Sequence, residues 1–379
     1  MRRAISLVFL CHGLVAGSWS TRIPWIQENL DLSATTLGLV LLLTAAGSVA
    51  GLIAAGPLLA RLGARSATAI LIPIFCLTVA LPALSPNLPV LGLTLALYGA
   101  ATSASNIAVN AEASGIEKAA GQPIMTRLHG MWSVGLLAGA GGGALATSFD
   151  VHAPLHLGAV AVVTAGGAAL AARFLPVRPD SHAAPARRFA LPTRPVLAIG
   201  LVAFCSSFAE SSVGNWSGIY VRDVTGADEL ASALAYVAFA CTAAVSRLCS
   251  VPVIVRLGVV KTVRIGALTG VAGGLMVVLA PVTWVAGVGF ALVGLGLASV
   301  VPQAFSAGAD AAPTPGEGIS GVASFALFAG LGGPTLFGVV ADAFSPRVSF
   351  LLVAVAAGAI ALAAPVLRPR VSAPVPVPV

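Results

Sequence analysis

The chain predicts an all-α polytopic membrane protein: twelve transmembrane helices in two pseudo-symmetric six-helix bundles. Three observations carry this. First, only 9% of its 379 residues are charged and 58% are hydrophobic, whereas a soluble domain carries roughly a quarter charged residues. So little charge cannot cover a water-facing surface, so most of the outside must face lipid. Second, apolar runs of about 20 residues, enough to cross a bilayer, recur almost from end to end. Third, the chain repeats itself in order. Gly17-Ser18-Trp19-Ser20 returns as Gly214-Asn215-Trp216-Ser217, Arg61-Leu62-Gly63 as Arg256-Leu257-Gly258, and the ten residues from Leu136 as the ten from Leu327.

The predicted spans run in order near 4–25, 34–59, 66–85, 88–111, 127–148, 153–175, 195–220, 229–252, 262–281, 284–308, 317–341 and 347–367. The first has a basic start and a cleavage-like Ala16-Gly17-Ser18. It is nevertheless a span, because the apolar run continues through Trp25 and its tryptophan recurs in the second half. Strand-like alternation is absent, and the Leu/Ala/Gly/Val runs are too long for barrel strands. Glycines four apart, such as Gly47 with Gly51 and Gly139 with Gly143, suit close helix packing. Residues 1–175 form one bundle and 195–368 the other. The polar, proline- and arginine-rich 176–194 is a cytoplasmic linker, whose prolines keep the sixth and seventh helices from fusing. The proline-rich tail, 369–379, is disordered or extended.

The net charge of +7 follows topology. With both termini cytoplasmic, 16 of the 20 basic residues fall on cytoplasmic segments, as the positive-inside rule requires. Arg22, Arg222 and Arg347 lie at outer ends and Arg247 lies within a span. The expectation is an integral protein of a bacterial-type inner membrane, a monomer whose partners are lipid, a small-molecule solute and a proton, with no nucleic acid. The cysteines, Cys11, Cys76, Cys205, Cys241 and Cys249, all lie within spans without metal-ligand spacing, so neither metal, disulfide nor cofactor is expected. There is no phosphate-binding G-x-x-x-x-G-K-[ST] loop, and neither paired carboxylates, a histidine cluster nor a Gly-x-Ser-x-Gly turn for catalysis. Two like apolar halves point to a transporter, not an enzyme. A sensor on the same fold would add a sizeable soluble domain, for which the linker is too short.

Polar residues inside a span are costly and mark pathways. Glu210, mid-way along span seven with no basic residue within a helical turn, is the sharpest. Low dielectric disfavours the charged form of a lone carboxyl. Such a group suits proton coupling, or else a hydrogen bond to a neighbouring helix. Tyr98, Thr102, Asn106 and Asn110 recur every four residues on one stripe of span four. The two amides suit a hydroxylated solute or interhelical bonds. His12, Trp19 and Arg22 share a stripe on span one. Trp19 suits stacking on a sugar-like ring or an aromatic belt. His12 aligns by the repeat with Ala209, and is either a proton relay to Glu210 or a packed neutral ring. Trp216 lies about 240° around the helix from Glu210, so both reach one cavity only if Gly214 breaks the helix. His129 and Trp132 form the inner end of a solute path or an interfacial anchor. Gln303 is a cavity candidate in span ten. Arg247 snorkels or pairs with Asp310, and is not a substrate candidate.

Twelve spans, a parallel six-plus-six repeat and basic loops after spans two and eight resemble the major facilitator superfamily. Gly56-Pro-Leu-Leu-Ala-Arg-Leu-Gly-Ala-Arg65 is similar to its signature loop. That pattern has an acid just before its first arginine, where this chain has Ala60. The resemblance then implies a cytoplasmic gate in which Glu112 or Glu117 pairs with Arg61 or Arg65, matched by Asp310 with Arg256 or Lys261. Arg22-Ile-Pro…Leu32-Ser33…Leu37-Gly38, the segment from Gly121 to Ser133, and Glu210…Asn215-Trp216-Ser217…Tyr220-Val-Arg222-Asp223 are similar to the MosC-like branch. Its namesake is associated with uptake of an inositol-derived amine, which implies small polar, sugar-like solutes. The expected function is therefore secondary active transport of a sugar- or cyclitol-like solute by alternating access, as proton symport. The alternative is a proton-coupled efflux antiporter for amphipathic compounds. The antiporter glycine-proline signature belongs in the fifth helix, but Pro is absent there and Gly333-Pro334 occurs in the eleventh.

Overall fold

A computed structural model describes residues 2–120, 124–176, 193–312 and 315–368. Most of the predicted linker and the whole tail lie outside the described residues. The helices are α1 (Arg2–Ser20), α2 (Ile23–Asn29), α3 (Ala34–Thr78), α4 (Leu88–Ala120), α5 (Met125–Ser148), α6 (Ala153–Arg173), α7 (Arg194–Thr225), α8 (Glu229–Leu257), α9 (Val259–Val278), α10 (Thr283–Leu297), α11 (Val300–Ala311), α12 (Pro315–Ala343) and α13 (Pro346–Ala363). Among the described residues nine stretches are long and apolar enough to cross a bilayer, and the bent α1–α2 pair makes ten. Two more complete the twelve. α3 holds spans two and three on either side of a break, and α5, less apolar but about 36 Å long, also reaches across.

Local chemistry sets the ends of these helices. The Ser33 hydroxyl caps α3 by accepting the N–H of Thr36, and the Asp228 carboxylate caps α8 through Ala231. Gly226, left-handed at φ 67°, ends α7 and turns the chain into α8. The repeated Arg-Leu-Gly carries a repeated backbone. Gly63 breaks α3 at φ 72°, ψ 158°, and Gly258 separates α8 from α9 at φ 78°, ψ 158°. Only glycine occupies that region without strain, so each half uses it to reverse the chain between two spans in almost no length.

Packing repeats in the same way. α1 packs on α5 and α6, while α3 packs on α4 and α6; in the second half α7 packs on α12 and α13, and α9 on α10 and α13. In the α1–α5 seam, Gly17 lies against the backbone of Leu136 and Gly139 against that of Leu14, leaving no room for a Cβ on either helix. Such backbone approach replaces the hydrophobic drive that membrane helices lack. The two halves meet through α3 with α12 and through α5 with α8.

Candidate functional site

Glu210 sits mid-way along α7, and its carboxylate is not alone. Arg247 of α8 donates from Nη2 to Glu210 Oε2 at 2.6 Å, and Ser206 Oγ lies 3.4 Å from Oε1. Arg247 was expected to snorkel or to meet Asp310; it does neither. Its Cα is ten residues, about 15 Å, from the end of α8, too deep to reach the interface cheaply, and Glu210 is the acid that α7–α8 packing brings to it. Asp310 is exposed on α11.

The break between α10 and α11 holds this pair in place. Pro302 has no N–H, so the carbonyl of Ala298, four residues earlier, loses its helical donor. Arg247 Nε takes that carbonyl at 3.3 Å, and Ser206 Oγ lies 3.2 Å from the neighbouring carbonyl of Leu297. Side chains of α7 and α8 thus satisfy backbone groups that a continuous helix would have used itself, as a lipid environment demands. Ser207, Glu210, Arg247, Ala298, Val301 and Pro302 line a cavity of ≈ 320 Å³. Gln303, half-buried, follows directly after this wall.

The first half has aromatic groups at the equivalent depth. His12 is buried; its Nδ1 accepts the Trp132 indole N–H at 3.1 Å, its Nε2 lies 3.4 Å from Ser105 Oγ, and its ring stacks on Phe75 with centroids 4.3 Å apart. Both nitrogens are therefore engaged within the first half, an arrangement that matches the packed-ring alternative for His12 rather than the relay to Glu210. The column continues from Phe75 to Tyr98, with centroids 5.7 Å apart, and from Tyr98 to Trp19, 5.4 Å apart. Trp19 is buried against Tyr98 within this column. Asn106 is exposed and Asn110 half-buried on α4, and the Asn110 amide donates to the Asn106 carbonyl and side-chain oxygen. His129 is exposed, with its ring edge-on to Phe9.

Trp216 takes the other of its two possible positions. α7 runs unbroken through Gly214, so Trp216 turns away from Glu210, is 2% exposed and stacks on Phe337 of α12. It is a packing residue between α7 and α12, not a wall of the cavity.

At the distal end, opposite Arg2, polar contacts join the halves. Arg22 is 1% exposed. It donates to His156 Nδ1 at 3.2 Å and the Val151 carbonyl at 3.1 Å, and its Nη1 lies 3.9 Å from Glu229 of α8. Arg222 donates to the carbonyl of Pro24 at 3.0 Å and to Gln27 Oε1 at 2.7 Å. Thr335 donates to the carbonyl of Gly38 at 2.9 Å, and Thr35 N–H to Asp342. Sequence reading placed Arg22 and Arg222 at the outer ends but gave them no role; an arginine repeated at both outer ends was the available signal.

The Major Facilitator Superfamily model matches residues 5–332. The chain belongs to the major facilitator superfamily. Within it, the chain is 35% identical over 372 residues to the uncharacterised transporter y4wD of Sinorhizobium fredii, covering 97% of this chain and 98% of that one. It is 28% identical over 374 residues to the membrane protein MosC of Rhizobium meliloti, covering 97% and 90%. Among solved structures it is similar to the nucleoside transporter NupG, with a TM-score of 0.77 at 15% identity over 97% of this chain and 98% of that one.

In this superfamily transporter the signature loop is built without the acid it usually carries. Arg61 is exposed, and Arg65 turns to the end of the sixth span, where Nε donates to the Leu175 carbonyl at 3.0 Å. The second half repeats the device: Arg264 Nε donates to the carbonyl of Ala361 at 3.3 Å. A cation at a helix C-terminus meets carbonyls without helical donors, so each arginine ties its own helix to the end of a neighbouring one. Glu117 accepts the N–H of Ile124 at 2.7 Å. Glu112 is buried in α4, and Arg256 is exposed. Residues 121–123 of the branch-like segment lie outside the described residues.

Proposed function

We propose that this transporter moves a small polar, sugar- or cyclitol-like solute across a bacterial-type inner membrane by alternating access, with Glu210 carrying a coupled proton. The observation that carries this reading is the Glu210–Arg247 ion pair on the wall of the ≈ 320 Å³ cavity. Ionisable groups inside a membrane are retained where a pathway needs them. A volume near the lower bound of small-molecule sites, about 300 Å³, suits one sugar-sized solute. Protonating Glu210 removes half of the pair, and losing one partner of a buried pair costs about 3–5 kcal/mol. That is enough to change what the cavity binds. Asn106 and Asn110, on α4 and outside the lining of that cavity, are polar groups within a span that an amphipathic efflux substrate would not need.

The contacts at the distal end support alternating access. Arg22, Arg222, Asp342 and Thr335 close one end with a handful of polar bonds, which rocking of the halves can break and remake. In this reading, following the positive-inside rule, the closed end faces outside and the termini face the cytoplasm.

Purified protein in liposomes with an imposed pH gradient tests the reading against a panel of sugars and cyclitols. Accumulation in wild type should disappear in Glu210→Gln while solute exchange without a gradient persists. Undiminished gradient-driven accumulation in Glu210→Gln would remove that carboxyl from coupling.

A further inference from the structure

Arg247 holds more donors than the protein uses. A guanidinium has five N–H groups in a planar fork. Nε goes to the Ala298 carbonyl and one hydrogen of Nη2 to Glu210. Among the described residues no protein acceptor takes the other three, two on Nη1 and one on Nη2. The side chain is 31% exposed and lines the cavity. Its Nη1–Nη2 edge is the face that fits a carboxylate with two parallel bonds, and Glu210 occupies only one of those donors.

We infer that the solute carries a carboxylate, which Arg247 binds in place of Glu210 once Glu210 is protonated. This rests on the proposed transport reading and narrows its solute to acidic sugars and related hydroxy acids. The charges balance. In the empty site, Glu210 carboxylate and Arg247 guanidinium sum to zero. A proton from water adds to Glu210, which becomes a neutral acid and releases Arg247. The solute carboxylate then accepts from Nη1 and Nη2, and the loaded site again sums to zero. One proton and one monoanion cross together, and no net charge moves.

Other solute classes fit less well. A neutral sugar bound beside protonated Glu210 would leave Arg247 an unpaired cation in a low-dielectric wall. An ammonium drawn to Glu210 would lie beside a guanidinium that cannot retreat, because the Ala298 carbonyl freed by Pro302 anchors Nε. Among the described residues, the ionisable groups within electrostatic reach of Arg247 include His129 from α5, Tyr236 on α8 itself and Glu210 from α7.

The test is uptake into proteoliposomes under an inward proton gradient, using labelled glucuronate and gluconate beside glucose, myo-inositol and glucosamine. The two acids should accumulate at least tenfold above the other three. Their uptake should be unchanged by a potassium–valinomycin potential of either sign. Arg247→Lys, which keeps charge but loses the fork, should lower acid uptake at least tenfold. The wild-type panel gives an answer even if that variant does not fold. Accumulation of glucose, inositol or glucosamine without the acids would overturn the carboxylate inference and leave the transport reading standing. Acid uptake that follows the imposed potential would overturn the one-proton, one-anion balance. If none of the five compounds moves, the transport reading falls together with this inference.

Discussion

Asp342 of α12 accepts the backbone N–H of Thr35 at 2.7 Å, so a carboxylate from the second half caps the first turn of a helix in the first. Ser33 supplies the helix's own cap through Thr36, and Asp342 serves the donor beside it. A negative group there also meets the positive end of the helix dipole.

Asp342→Ala should loosen this junction by about 1 kcal/mol, the usual value of a capping side chain. A change of that size shifts a two-state equilibrium by about fivefold. Spin labels placed on the distal ends of α3 and α12 should report a larger separated population, with the helix content unchanged. An unaltered distance distribution would show that the cap does not hold the halves together.

Gly63→Ala and Gly258→Ala should each cost about 1–3 kcal/mol, because both residues sit where only glycine is unstrained. The two sites lie in different halves, so their losses should add. Gly158→Ala, in open space on α6, is the control and should match or exceed wild type. Thermal unfolding in detergent checks all three; equal midpoints would contradict the backbone argument.

Pro302→Ala returns an N–H four residues after Ala298. The restored helical bond competes with Arg247 Nε for one carbonyl. Losing a single bond of this kind is worth about 0.5–1.5 kcal/mol, so the solute KM should rise roughly threefold to tenfold with a smaller change in maximal rate. A fall in maximal rate at constant KM would place the effect of Pro302 in the conformational step instead.

The architecture was legible because its signals are local. Hydropathy marks the spans, and the repeated Arg61-Leu62-Gly63 and Arg256-Leu257-Gly258 mark equivalent turns down to their backbone angles. The site was legible only in part. Glu210 stood out as a carboxyl within a span, but its partner lies 37 residues away on another helix. Two clues were available together: an acid and an arginine, each inside a span and each without a local partner, satisfy one another at less cost than separately. The fate of Trp216 depended on whether α7 bends at Gly214. Glycine permits a bend without requiring one, so packing against Phe337 decided. The two readings of His12 stayed open in the sequence because repeat alignment gives depth along an axis, not which neighbours enclose a ring.

The distal contacts are unlike one another in kind. High salt weakens the pair between Arg22 and the exposed Glu229, and acid neutralises Asp342, yet neither reaches the bonds that Arg222 and Thr335 make to the carbonyls of Pro24 and Gly38. No single change in the surrounding medium therefore unfastens that face. Under the proposed alternating access, that face opens only when the bonds from the α1–α2 segment to α7 and α8 and those from α3 to α12 part together.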